Sequence, residues 1–191
     1  MKKTLKIAAL GITGLLTTQA SADKLGLNLQ LADETARLGF FSESMGVNEL
    51  YRYDAGFQFD NDKSYLVDAS VLYANKGMLD PNIDLGVKAK LAYVDHDPSG
   101  DSTLGILMGV QAKYWLPTPV PSSLMLEYLY GPKILTTGDG DSLREGNVRY
   151  QVQLLRNLSG YVGYRQFNVH KSGGGYYNFD KGANIGIEFS F

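Results

Sequence analysis

The chain has 191 residues and two histidines, which are the first residues to test for catalysis. His170 is followed by Ser172, and Glu188 lies in the last segment, so the sequence holds a base, a nucleophile and an acid. A hydrolase must hold the nucleophile firmly against its base. Ser172 precedes the glycines 173–175, which is a poor setting for a positioned nucleophile. His96 and His170 are both predicted to lie in loops, and we expect no catalytic residues.

Two acidic clusters are the candidates for metal binding. Asp95-His96-Asp97 and Asp139-Gly140-Asp141 offer oxygen ligands of the kind that Ca²⁺ takes, but neither has the spacing of an EF-hand loop. Short Asp/Gly segments are also ordinary turn formers. Glycines 173–175 precede no predicted helix and do not form a phosphate loop. With no cysteine in the chain, a thiolate zinc site and a lipoprotein anchor are excluded. We expect no metal and no cofactor.

The N-terminus has the pattern of a secretory signal peptide. Three lysines precede an apolar stretch from Ile7 to Leu16, and Ala20-Ser21-Ala22 provides an A-x-A cleavage site. We expect residues 1–22 to be removed and residues 23–191 to form one domain. That domain has 15 basic and 20 acidic residues, a balance that argues against a nucleic-acid partner.

The rest of the chain alternates between apolar and polar residues. From Leu25 to Leu31 every second residue is leucine, the period of a strand with one apolar face. Similar rows recur at 36–40, 51–59, 65–73, 83–93, 104–114, 124–130, 148–154, 160–166 and 183–191. In 160–166 the face is ambiguous, because Tyr161 and Val162 both suit the apolar side. Most segments have about 9–11 residues, the length of a tilted membrane strand.

Charged residues fall on the opposite rows, and none lies on the apolar rows. These opposite-row charges are Arg52, Asp54, Asp68, Asp84, Lys88, Lys90, Lys113, Glu127, Arg149, Arg165 and Glu188, together with Arg37. In a soluble sandwich the polar row faces water, whereas in a membrane barrel it faces the lumen. Periodicity alone does not distinguish the two.

Three further features favour the barrel. Tyrosines stand at the ends of the apolar rows, as in the aromatic girdles of membrane proteins: Tyr51, Tyr65, Tyr73, Tyr93, Tyr114, Tyr128 and Tyr130. Predicted loops at 61–63, 96–103, 134–145 and 170–182 alternate with the shorter connections 117–121 and 156–158, and 75–82 is the exception. The chain also ends on an alternating apolar strand, Ile185, Ile187, Phe189 and Phe191, which resembles the C-terminal assembly signal of outer-membrane barrels.

We therefore predict an all-β protein, an antiparallel up-and-down transmembrane barrel with ten strands. Eight strands are the alternative, if Leu25–Leu31 and Ala36–Phe40 form a hairpin outside the wall.

Short motifs also resemble a known family. Leu25-Gly26-Leu27-Asn28-Leu29, Ala36-Arg37-Leu38, Gly163-Tyr164-Arg165 and the closing Gly186-Ile187-Glu188-Phe189-Ser190-Phe191 are similar to the YfaZ family of outer-membrane proteins. The resemblance covers the whole mature chain. It implies a barrel in the outer membrane of a Gram-negative bacterium, but no reaction.

Three functions remain open at this stage. Lumen charges of both signs favour a plug of ion pairs, hence a structural or surface-interaction barrel. A narrow pore for ions or small polar solutes is the first alternative, and an outer-membrane lipid-modifying hydrolase is the second. The expected partners are outer-membrane lipid, lipopolysaccharide and, during biogenesis, the barrel assembly machinery.

Overall fold

The computed structural model describes residues 24–96, 100–171 and 174–191. The predicted signal peptide, residues 1–22, lies outside the described residues. The strands are β1 Lys24–Ala32, β2 Thr35–Met45, β3 Glu49–Asp60, β4 Tyr65–Lys76, β5 Ile83–His96, β6 Asp101–Leu116, β7 Ser122–Gly131, β8 Thr136–Gly138, β9 Gly140–Leu155, β10 Leu158–Lys171 and β11 Tyr176–Ser190. One 3₁₀ turn spans Lys133–Leu135. Within the described ranges, no helix has the length and apolar character needed to span a membrane.

Ten of the strands close into an antiparallel barrel, which confirms the predicted fold. Each long strand pairs with its neighbours in sequence, with β7 beside β9, and β11 pairs back onto β1 from Ser190–Gly26 to Asn184–Ala32. Closure matters because an open sheet edge in lipid would leave backbone groups without hydrogen-bond partners. The short β8 pairs only with β6, at Thr103–Gly105. The segments Leu25–Leu31 and Ala36–Phe40 both lie in the wall, so the eight-strand alternative is wrong.

The apolar rows face outward along every long strand. In β10 the ambiguity is resolved, since Val162 is 54% exposed and Tyr161 only 4%. Tyrosine rings from adjacent strands meet near both ends of the wall, at 5.1 Å between Tyr51 and Tyr73 and 6.0 Å between Tyr65 and Tyr93. These pairs fit the two girdles that bracket the apolar band of a membrane barrel.

Strands at one end continue through segments predicted as loops. β5 runs to His96, β6 starts at Asp101, β9 starts at Gly140 and β11 starts at Tyr176. Most of the described residues within the predicted loops 96–103, 134–145 and 170–182 therefore lie in strands, so these loop predictions are wrong over those residues. Many of the outward residues in these segments are polar, as in a loop, whereas their inward residues include the buried apolar side chains of Leu143 and Phe179 and the buried carboxylates of Glu145 and Asp180. We call this the loop end of the barrel, and the opposite end, which holds both chain ends of the barrel, the terminal end.

Candidate functional site in the barrel lumen

The lumen is filled at three levels, beginning with an apolar layer at the loop end. Its residues come from β4, β5, β6, β7, β9, β10 and β11: Leu66, Ala92, Val94, Leu107, Leu129, Leu143, Phe167, Val169 and Phe179. The four leucines and Phe167 are 0% exposed. Phe167 meets Phe179 edge-on at 6.4 Å between ring centroids, and Tyr177 packs on the same cluster. This apolar layer occupies the side of the loop end formed by β4–β7 and β9–β11, whereas β2 and β3 contribute the buried polar residues Thr35 and Gln58.

Below it lies the middle network, a set of ion pairs that crosses the lumen. Arg165 on β10 donates to Glu145 on β9 at 2.8 Å and to Asp180 on β11 at 3.0 Å. Glu145 also accepts from Lys90 on β5 at 2.9 Å. Asp68 on β4 lies 3.5 Å from the Lys90 ammonium. These side chains are only 2–4% exposed, so the network is a buried salt-bridge cluster.

Two further strands join this middle network. Arg37 on β2 donates to Asp68 at 2.9 Å. Gln58 on β3 donates to Asp180 at 2.8 Å and accepts from Arg165. Gly56 makes room for Arg37, because a Cβ at that position would collide with the guanidinium. The middle network therefore ties together seven of the ten wall strands.

The terminal network is the third level and is centred on Glu188. Its Oε1 accepts from Arg52 at 3.0 Å, from Arg149 at 3.1 Å and from Asn28 at 3.2 Å. Arg52 also donates to Glu43, at 2.7 Å, and lies 3.0 Å from Asp54. The charged side chains of this network are 9–17% exposed, against 2–4% for Asp68, Lys90, Glu145, Arg165 and Asp180 of the middle network.

The remaining predicted lumen charges lie on the wall between β5 and β7. Lys88 pairs with Glu127 at 2.9 Å. Asp84 accepts the indole N–H of Trp115 at 2.7 Å, and the Lys113 ammonium lies 4.2 Å from the centre of that ring. All eleven lumen charges predicted from the alternation thus have side chains on the inner face. A polar cavity of about 100 Å³ lies among the two networks and this wall.

The sequence prediction did not include Glu43, Glu145 and Asp180, which are charged residues of the two lumen networks. Glu145 and Asp180 fall in segments predicted as loops, and Glu43 lies beyond the end of a predicted row. The predicted β9 row could have been extended toward the N-terminus, past outward residues that are polar. That extension would place Glu145 in the same inward row as Arg149. Asp180 follows a β-bulge at Phe167/Asn168, where the register shifts and the alternation is lost.

The structure also places the histidines. His170 stacks on Tyr176 with ring centroids 6.2 Å apart, and Tyr176 is its partner in the β10–β11 ladder. Glu188 pairs with Ser159, near the other end of the same hairpin, so it lies far from His170. Ser172 is outside the described residues.

His96 lies at the loop end of the barrel. Its Nδ1 lies 3.2 Å from the hydroxyl of Ser64, but Ser64 is 0% exposed and no substrate could reach it. Among the described residues, no three His, Asp or Glu side chains are grouped so as to hold a metal ion.

The chain was compared with known proteins. The family model described as YfaZ precursor matches residues 1–191. No curated protein matches.

Among solved structures, a bacterial polysaccharide outer membrane secretin is 12% identical with a TM-score of 0.46, over 82% of this chain and 57% of that one. The outer membrane channel DcaP of Acinetobacter baumannii is 10% identical with a TM-score of 0.45, over 85% of this chain and 54% of that one. A chain from work described as "Unveiling the Mechanism Behind the in-meso Crystallization of Membrane Proteins" is 11% identical with a TM-score of 0.42, over 88% of this chain and 83% of that one. The chain spans just over half the length of the first two.

Proposed function

Since the chain belongs to the YfaZ precursor family and is an outer-membrane β-barrel of Gram-negative bacteria, we infer that it serves as a non-conducting structural or surface-interaction barrel. One observation carries this proposal: the apolar layer and the middle network together place side chains in the lumen from nine of the ten wall strands. A conduit for ions needs a continuous polar path, and an apolar constriction excludes water by dewetting.

The middle network supports the same proposal. Arg165, Glu145, Lys90 and Asp68 bond to one another, so each charge is compensated inside the lumen. Ions passing through would have to break buried pairs, and removing one partner of such a pair costs about 3–5 kcal/mol. A selective pore is more often lined by a ring of one sign.

A narrow pore is the second candidate, and the polar cavity of about 100 Å³ favours it. The cavity lies on the terminal side of the apolar layer, where side chains are more exposed. Conduction along this route would require the apolar layer to move. A hydrolase has less support, since the serine that contacts His96 is completely buried.

The outer surface at the loop end supports a role in surface contacts. Above the apolar band, β9–β11 present outward polar side chains, Arg144, His170 and Lys181, and Tyr176 is 65% exposed. Cationic and aromatic side chains at this level suit the phosphates and sugars of lipopolysaccharide. Lipopolysaccharide and outer-membrane lipid are therefore the partners we propose, with the assembly machinery during biogenesis.

A liposome permeability assay tests the proposed function. Vesicles loaded with an impermeant solute would carry the refolded wild type or a Leu107→Ala/Phe167→Ala variant, which empties the apolar layer. Leu126→Ala/Val148→Ala, on the outward face, is the matched control. We expect the wild type and the control to give the permeability of empty vesicles and the apolar-layer variant to exceed it. Wild-type permeability well above that of empty vesicles would overturn the proposal in favour of the pore.

A further inference from the structure

An open groove crosses the outer face of the barrel from β4 to β10. It has a volume of about 740 Å³ and a mostly apolar lining. The groove follows a row of residues that are paired in successive ladders, namely Tyr73, Val87, Val110, Tyr128, Gly146 and Gln166. Five strand spacings of about 4.8 Å give this row a length of about 24 Å. The acyl chains of one leaflet extend over about half of the ~30 Å hydrocarbon core, so the groove is long enough to hold one.

Gly146 leaves the groove open toward the loop end. It lies on the outward face of β9, between Arg144 and Val148, and a Cβ added there would meet no atom within 4 Å. Gly146 does not belong to the glycines with positive φ. Neither packing within the wall nor backbone conformation therefore requires a glycine at this position. Its consequence is open space on the lipid-facing side between Tyr128 and Gln166.

Polar side chains surround the loop-end limit of the groove. Arg144 is exposed and lies two residues before Gly146, on the same face of β9. Lys181 is exposed and pairs with Gln166 in the β10–β11 ladder. Gln166 donates to Asn168 at 3.4 Å, which leaves one amide oxygen and one amide nitrogen of this pair for other hydrogen bonds. This end of the groove therefore combines cations with amide groups.

Arg144 is the cation best placed to receive an anionic group. Its guanidinium lies 5.6 Å from the centre of the Tyr130 ring, and among the described residues it has no ion pair. Glu145 follows it in sequence but points into the lumen, where it pairs with two cations. Asp141, on the same strand, pairs with Lys133 at 3.0 Å. The neighbouring carboxylates are therefore already compensated by other residues.

Lys181 has a more acidic setting than Arg144. The acidic residues 33–34 form the turn after β1, and Ala32 pairs with Asn184, three residues from Lys181. Neither acidic residue forms an ion pair with Lys181, but both lower the positive potential around it. We therefore assign the anionic group to Arg144 and treat Lys181 as a weaker contributor.

The loop end of the barrel faces the outside of the cell. Both chain ends of the barrel and the short β9–β10 connection lie at the terminal end, and the short turns of outer-membrane barrels are periplasmic. The lipid of the outer leaflet is lipopolysaccharide, whose lipid A carries acyl chains below phosphates and sugar hydroxyls. The groove, the cation and the amides follow one another in the same order toward the outside.

We propose that this groove binds one lipopolysaccharide molecule, with an acyl chain of its lipid A along the row through Gly146 and a lipid A phosphate on Arg144. Guanidinium groups bind phosphate through paired, charge-assisted hydrogen bonds. The amides of Gln166 and Asn168 are placed to bond to the sugar. The site belongs to the surface-interaction role proposed above and rests on it.

Native mass spectrometry of the folded barrel in detergent counts the lipid that it retains. The probes are lipid A with both phosphates, the same lipid after dephosphorylation, and phosphatidylglycerol. We expect one retained lipid A per wild-type barrel and roughly fivefold less of the dephosphorylated form, the effect of about one cation at a lipid surface. Arg144→Gln should lose lipid A by the same factor. Lys63→Gln, which removes an exposed lysine from the 61–64 turn at the same end, should retain it.

A second pair of variants tests the groove itself. Gly146→Leu fills it where a side chain meets no wall atom, so we expect this variant to fold and to lose most of the retained lipid A. Ala69→Leu places the same side chain on the outward face of β4 outside the groove and should retain it. Heat-modifiable gel migration verifies folding, and if Gly146→Leu does not fold, the comparison of Arg144→Gln with Lys63→Gln decides.

Three results would overturn the site. They are retention of lipid A that none of the four substitutions changes, phosphatidylglycerol retained as well as lipid A, and a lipid-free dimer that Gly146→Leu dissociates, which would assign the groove to a second copy of the chain. All four substitutions lie outside the lumen, so liposome permeability tests the closed barrel separately. A tight barrel without selectivity for lipid A would overturn this site alone, whereas a leaky wild type would overturn the non-conducting role whether or not lipid A is retained.

Discussion

Lys90 on β5 and Glu145 on β9 form an ion pair of 2.9 Å between strands that are not neighbours in the wall. The ion pair therefore crosses the lumen instead of lying along one part of the wall. Glu145 also accepts from Arg165 at 2.8 Å, so a single carboxylate compensates two cations. The side chains of Glu145, Lys90 and Arg165 are each 4% exposed. This arrangement makes Glu145 the residue on which the middle network depends.

We predict that Glu145→Gln lowers the free energy of unfolding by about 3–5 kcal/mol, since it leaves Lys90 and Arg165 short of a buried partner. Lys133→Met is the control, because Lys133 is 76% exposed and its pair with Asp141 contributes less than about 1 kcal/mol. Urea unfolding in lipid vesicles measures both. Equal losses for the two variants would contradict the role of the middle network.

The two faces of β6 give a second prediction. Val110 points outward and Gln111 inward, at adjacent positions of one strand. Val110→Arg should lower the free energy of unfolding by roughly 2–4 kcal/mol near the bilayer midplane, and Gln111→Arg by less. Unfolding in bilayers without detergent distinguishes them. A loss for Gln111→Arg as large as that for Val110→Arg would mean that the faces are wrongly assigned.

The third prediction concerns assembly. Phe191 donates its backbone N–H to Leu25 at 2.8 Å, and its ring lies 6.2 Å from that of Phe189, at the seam where β11 closes on β1. An extended strand with alternating apolar side chains is suited to recognition by addition to a sheet edge. We predict that deleting Phe191 leaves the exported chain unfolded in the periplasm or degraded, with the signal peptide still removed.

Phe59→Ala, an outward aromatic at the end of β3, is the control for this deletion. Heat-modifiable migration of outer-membrane fractions reports folded barrel in both cases. Normal amounts of folded deletion variant in the outer membrane would show that Phe191 is not part of an assembly signal.

The barrel itself could be predicted from the sequence because period two is a local property. The leucines of β1 and the charges of β5 each follow this period within one strand, which locates the strands and separates their two faces. Whether Leu25–Leu31 and Ala36–Phe40 belong to the wall stayed open, because it depends on closure between β1 and β11. Tyr161 was ambiguous because the β10 sequence offers two apolar residues in a row. Only the pairing with β9 and β11 decides which of the two faces the lumen.

The apolar layer and the loop end could not be predicted in this way. Leu107, Leu143 and Phe167 lie on rows that otherwise carry polar residues, and their packing depends on seven strands meeting in space. The bulge before Asp180 breaks the alternation, so that residue appeared to lie in a loop. Partners across the lumen, such as Lys90 and Glu145, follow from barrel closure and have no local signal.

Single-channel recording of the refolded wild-type protein in a planar bilayer tests the closed lumen most directly. The apolar layer and the middle network predict a silent membrane at moderate voltages, and discrete conductance steps once Leu107→Ala/Phe167→Ala empties the apolar layer. Stable wild-type steps that this substitution leaves unchanged would contradict the closed lumen and show that ions follow another path through the barrel.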